Sequence, residues 1–255
     1  MVMNDYSSFK NALKKWNIEL SSLQVEQLNQ YYEMLVEWNS FMNLTSITEF
    51  DEVLNKHFLD SFSFVQTFDS LKESSFMDSS ISCETFAFSI IDIGTGAGFP
   101  GIPLKILFPN SKVVLMDSLN KRIKFLDAVI DTLDLKKIET IHSRAEDLAK
   151  NLNYREQFDF AVSRAVANIS TLSEYCLPFV KKNGYFISYK SEKLDEELTQ
   201  SGNAIAFLGG KIQKNISFVL PGTDFNRNLL MIRKERNTPN KFPRKAGLPS
   251  KEPLS

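Results

Sequence analysis

Apolar positions in the first third of the chain recur at helical intervals. Val25, Leu28, Tyr32, Leu35 and Trp38 form one stripe behind Ser21 and Gln24, whose spacing is that of a capping box, so a solvated helix with one buried side is predicted here. Val53, Leu54, Phe58, Phe62 and Val65 make a second stripe and predict another helix over residues 52–68. The turn-prone NLTSI, residues 43–47, separates the two. Periodicity then fails. Six of residues 69–88 are serine, the composition of a flexible linker or surface insertion.

From Ser89 the pattern changes to short β-rich runs at 89–93, 112–116, 138–142, 158–162 and 185–189, alternating with helical patterns at 103–108, 121–133, 145–151 and 169–180. Such alternation predicts an α/β fold with a mostly parallel sheet covered on both faces. Two further β-rich runs, 211–220 and 228–232, are joined through Pro221 and Gly222, a connection short enough for an antiparallel pair at the sheet edge. No internal repeat is visible. The expected organisation is a helical extension over 1–68, the serine-rich linker at 69–88, a Rossmann-like unit over 89–236 and a tail at 237–255. In that tail Pro239, Pro243, Pro249 and Pro253 exclude a continuous helix or a central strand.

Composition adds to this picture. The chain has 255 residues and 43% apolar content, enough for one large domain or a domain with an extension. Its formal charge of −1 gives no bulk argument for nucleic acid, yet Arg233 to Ser255 holds seven Lys or Arg against two Glu, leaving +5 as a local basic surface. Cys83, Cys176, His57 and His142 share no metal-ligand spacing, so neither a metal site nor a disulfide framework is expected. No apolar run approaches 18 residues and MVMNDYSSFK lacks the layout of a signal peptide, which points to a cytoplasmic protein without membrane spans.

Candidate chemistry concentrates in IIDIGTGAGFPGIPL, residues 90–104, which holds four of the ten glycines, Gly94, Gly96, Gly98 and Gly101. A strand, a glycine turn and a helix in that order let backbone N–H groups approach a nucleotide-type ligand. The dinucleotide fingerprint would need a third glycine where Phe99 stands, and Asp92 precedes the turn. A pyrophosphate is therefore disfavoured, and a ligand with an amine or a positive sulfur suits the acid better; S-adenosylmethionine is such a ligand. Asp117 ends the next strand 21 residues beyond Gly96, where an acid accepts from ribose hydroxyls, although an acid before a helix N-terminus reads the same way. Residues 143–147 after the third strand suit either an adenine contact or a helix start. Ser163 and Arg164 arrive at the carboxyl edge of the fourth strand, where the arginine faces a cleft able to hold a carboxylate or phosphate. Lys190 ends the fifth strand at the corresponding place, where an ordinary solvated lysine is the plainer reading.

The residues after strand four narrow the acceptor. Amino methylation of adenine or cytosine brings an Asn or Asp with Pro-Pro and an aromatic there, and this chain has SRAV. Carbon methylation of cytosine needs a nucleophilic cysteine, whereas Cys83 lies in the serine-rich stretch and Cys176 in a core helix. Guanine N7 carries its own lone pair and needs no general base, which fits a site without an obvious one.

IDIGTGAGFPGIPL, LMDSLNKRIKFL, SRAEDL and VSRAVA, with WNSFMNLTSI and KHFLDS upstream, closely resemble the bacterial small-subunit ribosomal RNA guanine-N7 methyltransferase family, RsmG, also called glucose-inhibited division protein B. The tail KFPRKAGLPSKEPL resembles that of its Gram-positive members. The resemblance implies a class I methyltransferase fold, S-adenosylmethionine as donor, and a guanine in small-subunit ribosomal RNA, naked or in the ribosomal subunit, as acceptor. Carried over by position, it places cofactor contacts on Gly94, Phe99, Ala145, Glu146 and Arg164, with Gly96 in the same turn and Asp117 beside it. It also sets His57 and Asp60 in a helix facing the cleft, where a lone histidine reads equally as core or surface. Lys190, Lys241, Arg244 and Lys245 are the candidate RNA contacts, Lys251 lies among the same prolines, and the guanine would stack on Phe99 or Tyr189. A solubilising, disordered tail is the alternative. Rival functions are a methyltransferase of a small molecule or protein, an NAD-dependent oxidoreductase, and a non-catalytic RNA-binding protein.

Overall fold

The computed structural model describes residues 5–78, 83, 85–164, 167–190 and 194–254. Its centre is a seven-stranded sheet in the order β3-β2-β1-β4-β5-β7-β6, formed by β1 Ser89–Ile93, β2 Lys112–Asp117, β3 Ile138–His142, β4 Phe158–Ser163, β5 Val180–Lys190, β6 Gly210–Val219 and β7 Asn226–Lys234. The first five strands pair in parallel, while β7 enters antiparallel between β5 and β6. Strand order reverses at β1, between β2 on one side and β4 on the other, which is where open α/β sheets form a ligand crevice at the carboxyl ends.

Alternation along each strand builds two cores. Ile90, Leu115, Phe160 and Ile187 point to one face and Ile91, Met116, Ala161 and Phe186 to the other. The first face is covered by α1 Ser7–Lys14, α2 Ser22–Met42 and the helical run after them, which contribute Phe9, Leu28, Tyr31, Phe58 and Phe62 to the same core. In α2 the capping box is formed: Ser21 Oγ accepts from the Gln24 amide at 3.2 Å and Gln24 Oε1 from the Ser21 amide at 2.9 Å.

The helix predicted over 52–68 is a composite. It passes through α3 Phe50–Val53, a π-helical turn Leu54–Leu59, α4 Asp60–Phe62, a 3₁₀ stretch Ser63–Thr67 and α5 Phe68–Glu73. Residues 69–73, a linker by composition, complete α5, and Met77, Phe86 and Phe88 beyond it are buried. The centre of the serine-rich stretch, 79–82 and 84, lies outside the described residues.

Helices α6 Gly101–Leu107 and α7 Asn120–Thr132 lie with the N-terminal helices, whereas α8 Ala145–Leu148 and α9 Ile169–Cys176 cover the second face. The helix predicted through residue 180 ends at α9 and a 3₁₀ turn Leu177–Phe179, because Val180 already opens β5. α10 Asp195–Phe207 has no counterpart among the helical patterns of the sequence. The tail lies across α9. Arg155 donates to the carbonyls of Thr238 and Phe242 at 2.7 and 3.0 Å, Phe242 joins the second core, and α11 Leu248–Lys251 comes after it. Among the described residues no helix is long and apolar enough to cross a membrane.

Candidate active site

The four glycines divide into two kinds. A Cβ on Gly101 would come within 2.2 Å of Leu115 and 2.9 Å of Asp92, and one on Gly98 within 2.7 Å of the Tyr31 hydroxyl, so both are small because protein fills the space. Gly94 and Gly96 have φ of 70° and 63°, and a Cβ on either would meet nothing within 4 Å. These two therefore leave an open surface over the turn at the end of β1, with a left-handed backbone that favours glycine.

Asp92 sits beneath that turn. Its Oδ2 accepts from Thr95 Oγ1 at 2.6 Å and from the Gly101 amide at 2.9 Å, while Oδ1 is buried and has no hydrogen-bond partner among the described residues. Burial pushes its carboxyl up to about 6, against the opposing effect of those two donors. Asp117 ends β2 beside it. One oxygen accepts from the Gly96 amide at 3.0 Å and from Arg122 at 3.1 Å, the other from the Leu119 amide at 2.9 Å. With roughly four acceptor directions on a carboxylate, one is left for a ligand hydroxyl. A buried acid with one unpaired oxygen, an open glycine turn and a second acid with acceptor capacity fit a ribose-bearing ligand with a cationic centre.

On the other side of the turn stands Arg164. Its Nη1 donates to Asp60 Oδ2 and to the Lys56 carbonyl, both at 3.1 Å, and its Nη2 to His57 Nδ1 at 3.1 Å. The guanidinium lies 5.0 Å from the centre of the Phe99 ring, on which His57 also stacks at 4.4 Å. Because a guanidinium only donates, His57 Nδ1 accepts, so Nε2 carries the proton and donates to Thr45 Oγ1 at 2.9 Å. Burial, reinforced by Arg164, lowers the imidazole to about 3 and keeps it neutral. Asp60, 4% exposed, also takes Arg227 Nε on Oδ1 at 2.7 Å. The π-turn, with its wider spacing, carries His57 and delivers Asp60 directly after it; such turns recur at functional sites.

Gly94, Gly96, Phe99, Asp117 and Arg164 thus converge at the carboxyl edge of β1, β2 and β4. Ala145 and Glu146 open α8, where Glu146 Oε1 accepts from the Gly247 amide of the tail at 2.8 Å. Phe99 and Tyr189 are 5% and 4% exposed, so neither ring offers a free face to a base, which corrects the stacking expectation: Phe99 is covered by His57 and Tyr31, and Tyr189 donates to the Ser61 carbonyl. Lys190 is held by the Ala167 carbonyl at 2.6 Å and by Glu197 at 3.2 Å. Arg244 grips the fully buried Glu174 through Nε and Nη2, whereas Lys241 and Lys245 are exposed. Thr45 and Arg227 belong to the site; Thr45 stands within the WNSFMNLTSI segment, which does not mark it individually, and no motif in the sequence marks Arg227. Among the described residues no cluster of His, Cys, Asp or Glu is arranged to hold a metal.

Residues 24–229 match the model of the GidB family, described as rRNA small subunit methyltransferase G. A protein of Lachnoclostridium phytofermentans named ribosomal RNA small subunit methyltransferase G is 50% identical, over 99% of this chain and 98% of its own length. The chain belongs to the rRNA small subunit methyltransferase G family. Two other members so named, from Alkaliphilus metalliredigens and from an Exiguobacterium species, are 48% and 47% identical over 96% and 99% of the chain and 97% and 100% of their own lengths. The fold alone is shared with a mutant of MtNAS in complex with S-adenosylmethionine, at a TM-score of 0.51 and 16% identity over 84% of this chain and 72% of that one. Within the GidB match lie the glycine turn, Asp117, Glu146, Arg164 and the whole Asp60 cluster; the tail lies beyond it.

Proposed function

We propose that this protein transfers a methyl group from S-adenosylmethionine to N7 of a guanine in small-subunit ribosomal RNA, in the cytoplasm where that RNA is made. The observation that carries the reading is the open turn over Gly94 and Gly96 with the unpaired Oδ1 of Asp92 beneath it, in a chain of this family. When bound, S-adenosylmethionine supplies a methyl group on a positive sulfur. Asp92 would face its cationic end, Asp117 its ribose and the Ala145–Glu146 turn its adenine, while Arg164 closes the pocket from β4.

The titratable groups support an acceptor that keeps no proton to lose. His57 is neutral but has both ring nitrogens engaged, Arg164 cannot deprotonate, and burial raises Tyr31 and Tyr189 well above their ordinary range. None of these four is placed as a free general base, Asp92 is assigned to the cationic end of the donor, and guanine N7 requires no base, so the work of the site is positioning and electrostatics. Lys241 and Lys245 would lie along RNA phosphates; Arg244 and Lys190 serve internal contacts. The deciding experiment is mass mapping of N7-methylguanine in small-subunit RNA from cells with and without the gene. Loss of one modified guanine is expected; an unchanged set refutes the reading and returns the choice to a small-molecule or protein acceptor.

A further inference from the structure

Asp60 offers one negative charge to two guanidiniums. Its oxygens lie 3.1 Å from Arg164 Nη1 and 2.7 Å from Arg227 Nε, and the neutral His57 adds no compensation, so the group keeps one positive charge in excess. A buried carboxylate needs one cationic partner to offset its desolvation, and a second cation adds repulsion that an anionic or electron-rich visitor would relieve. The two arginines differ in what they have left to give. Arg164 spends Nη1 and Nη2 on the π-turn and on Asp60 after it, and lies over Phe99, towards the glycine turn. Arg227 spends Nε on Asp60 and Nη1 on the Asn226 carbonyl, and no described residue accepts from its Nη2. Its side chain is 18% exposed, so this edge is partly dehydrated yet reachable. Its position in the sheet agrees. Arg227 is the second residue of β7, and its neighbour Asn228 pairs with Lys190 at the carboxyl end of β5, on the same rim as Arg164.

Resting on the methyltransferase reading, we infer that Arg227 is an acceptor-binding residue, which meets an oxygen of the incoming guanine nucleotide, and that Asp60 is the positioning residue that aligns it beside Arg164. The oxygen is either a phosphate oxygen or O6 of the base, the two oxygens of a guanine nucleotide that a guanidinium most often meets. Phe225, with Lys56 and Arg227 at 5.2 and 5.7 Å from its ring centre, forms the outer wall of this seat.

The test uses Arg227→Gln, Arg227→Lys and Asp60→Asn in the full chain, with thermal unfolding, calorimetric S-adenosylmethionine binding and steady-state methyl transfer to unmodified small ribosomal subunits. Arg227→Gln is expected to fold, to bind S-adenosylmethionine within about twofold of the parent, and to raise KM for the subunit roughly tenfold or more, the loss of one charge-assisted hydrogen bond. If the partner is a phosphate, the slope of log kcat/KM against log salt falls by about one and Arg227→Lys restores part of it; an unchanged slope with raised KM assigns the contact to O6. Asp60→Asn, which keeps an acceptor for one arginine only, is expected to raise KM as well. An unaltered KM in Arg227→Gln overturns the inference, as does a loss of S-adenosylmethionine binding as large as the loss in KM. A parent enzyme that methylates no small-subunit RNA overturns the function and this role of Arg227 together, and is told apart because the parent itself is then inactive.

Discussion

Asp92 is the residue whose chemistry is most exposed to measurement. Its carboxyl is raised to about 6 by burial, so its charge is present above that value and lost as pH falls through it. Affinity for a cationic ligand over the turn is therefore expected to hold from pH 8 to about 6 and then to weaken by at most about tenfold per pH unit. Calorimetry with S-adenosylmethionine across that range checks it, and Asp92→Asn should remove the pH dependence. The glycines supply a second contrast. Gly101→Ala forces a methyl group to within 2.2 Å of Leu115, and is expected to cost roughly 1–3 kcal/mol in thermal unfolding, as overpacking does. Gly96→Ala meets open space and strains only a left-handed backbone, about 1–2 kcal/mol, so its larger effect should fall on ligand binding.

Among the elements, the tail behaves as a strap. Glu174 is fully buried and receives the Arg244 guanidinium through two nitrogens, and Thr171 donates to the Pro249 carbonyl at 2.9 Å. Arg244→Met would leave that carboxylate without its cationic partner, keeping only the backbone amide of residue 244, and a loss of about 3–5 kcal/mol is expected in denaturant unfolding. Deleting the tail from Asn237 would also remove Phe242 from the core, so activity lost on deletion would not by itself report RNA contact. Strands were the most legible elements, because β1, β2 and β4 are buried on both sides and read as short apolar runs between turns. The π-turn was not. One inserted residue shifts the apolar stripe too little to show in sequence, yet it aims His57 and Asp60. α10 escaped because Ser201, Gly202 and Asn203 interrupt its helical pattern with poor helix formers.

At the level of the whole molecule, one rim of the sheet gathers both halves of the chain. The glycine turn and Asp117 could be found in sequence because a strand, a turn and an acid lie within one βαβ unit. The Asp60–Arg227 contact could not, since 167 residues separate its partners and only the antiparallel entry of β7 brings them together. For the RNA, the exposed tail lysines give a separate test: Lys241→Gln with Lys245→Gln should lower the salt slope of subunit binding by about two and leave thermal unfolding unchanged. An unchanged slope would take the tail off the RNA path. The bond from the Gly247 amide to Glu146 has a consequence for biogenesis. Every strand is synthesised before Gly247, so a nascent polypeptide can assemble its sheet while the loop beside α8 still lacks its latch. On the proposed cofactor reading, the turn that opens α8 is completed last, once the closing segment has emerged and docked.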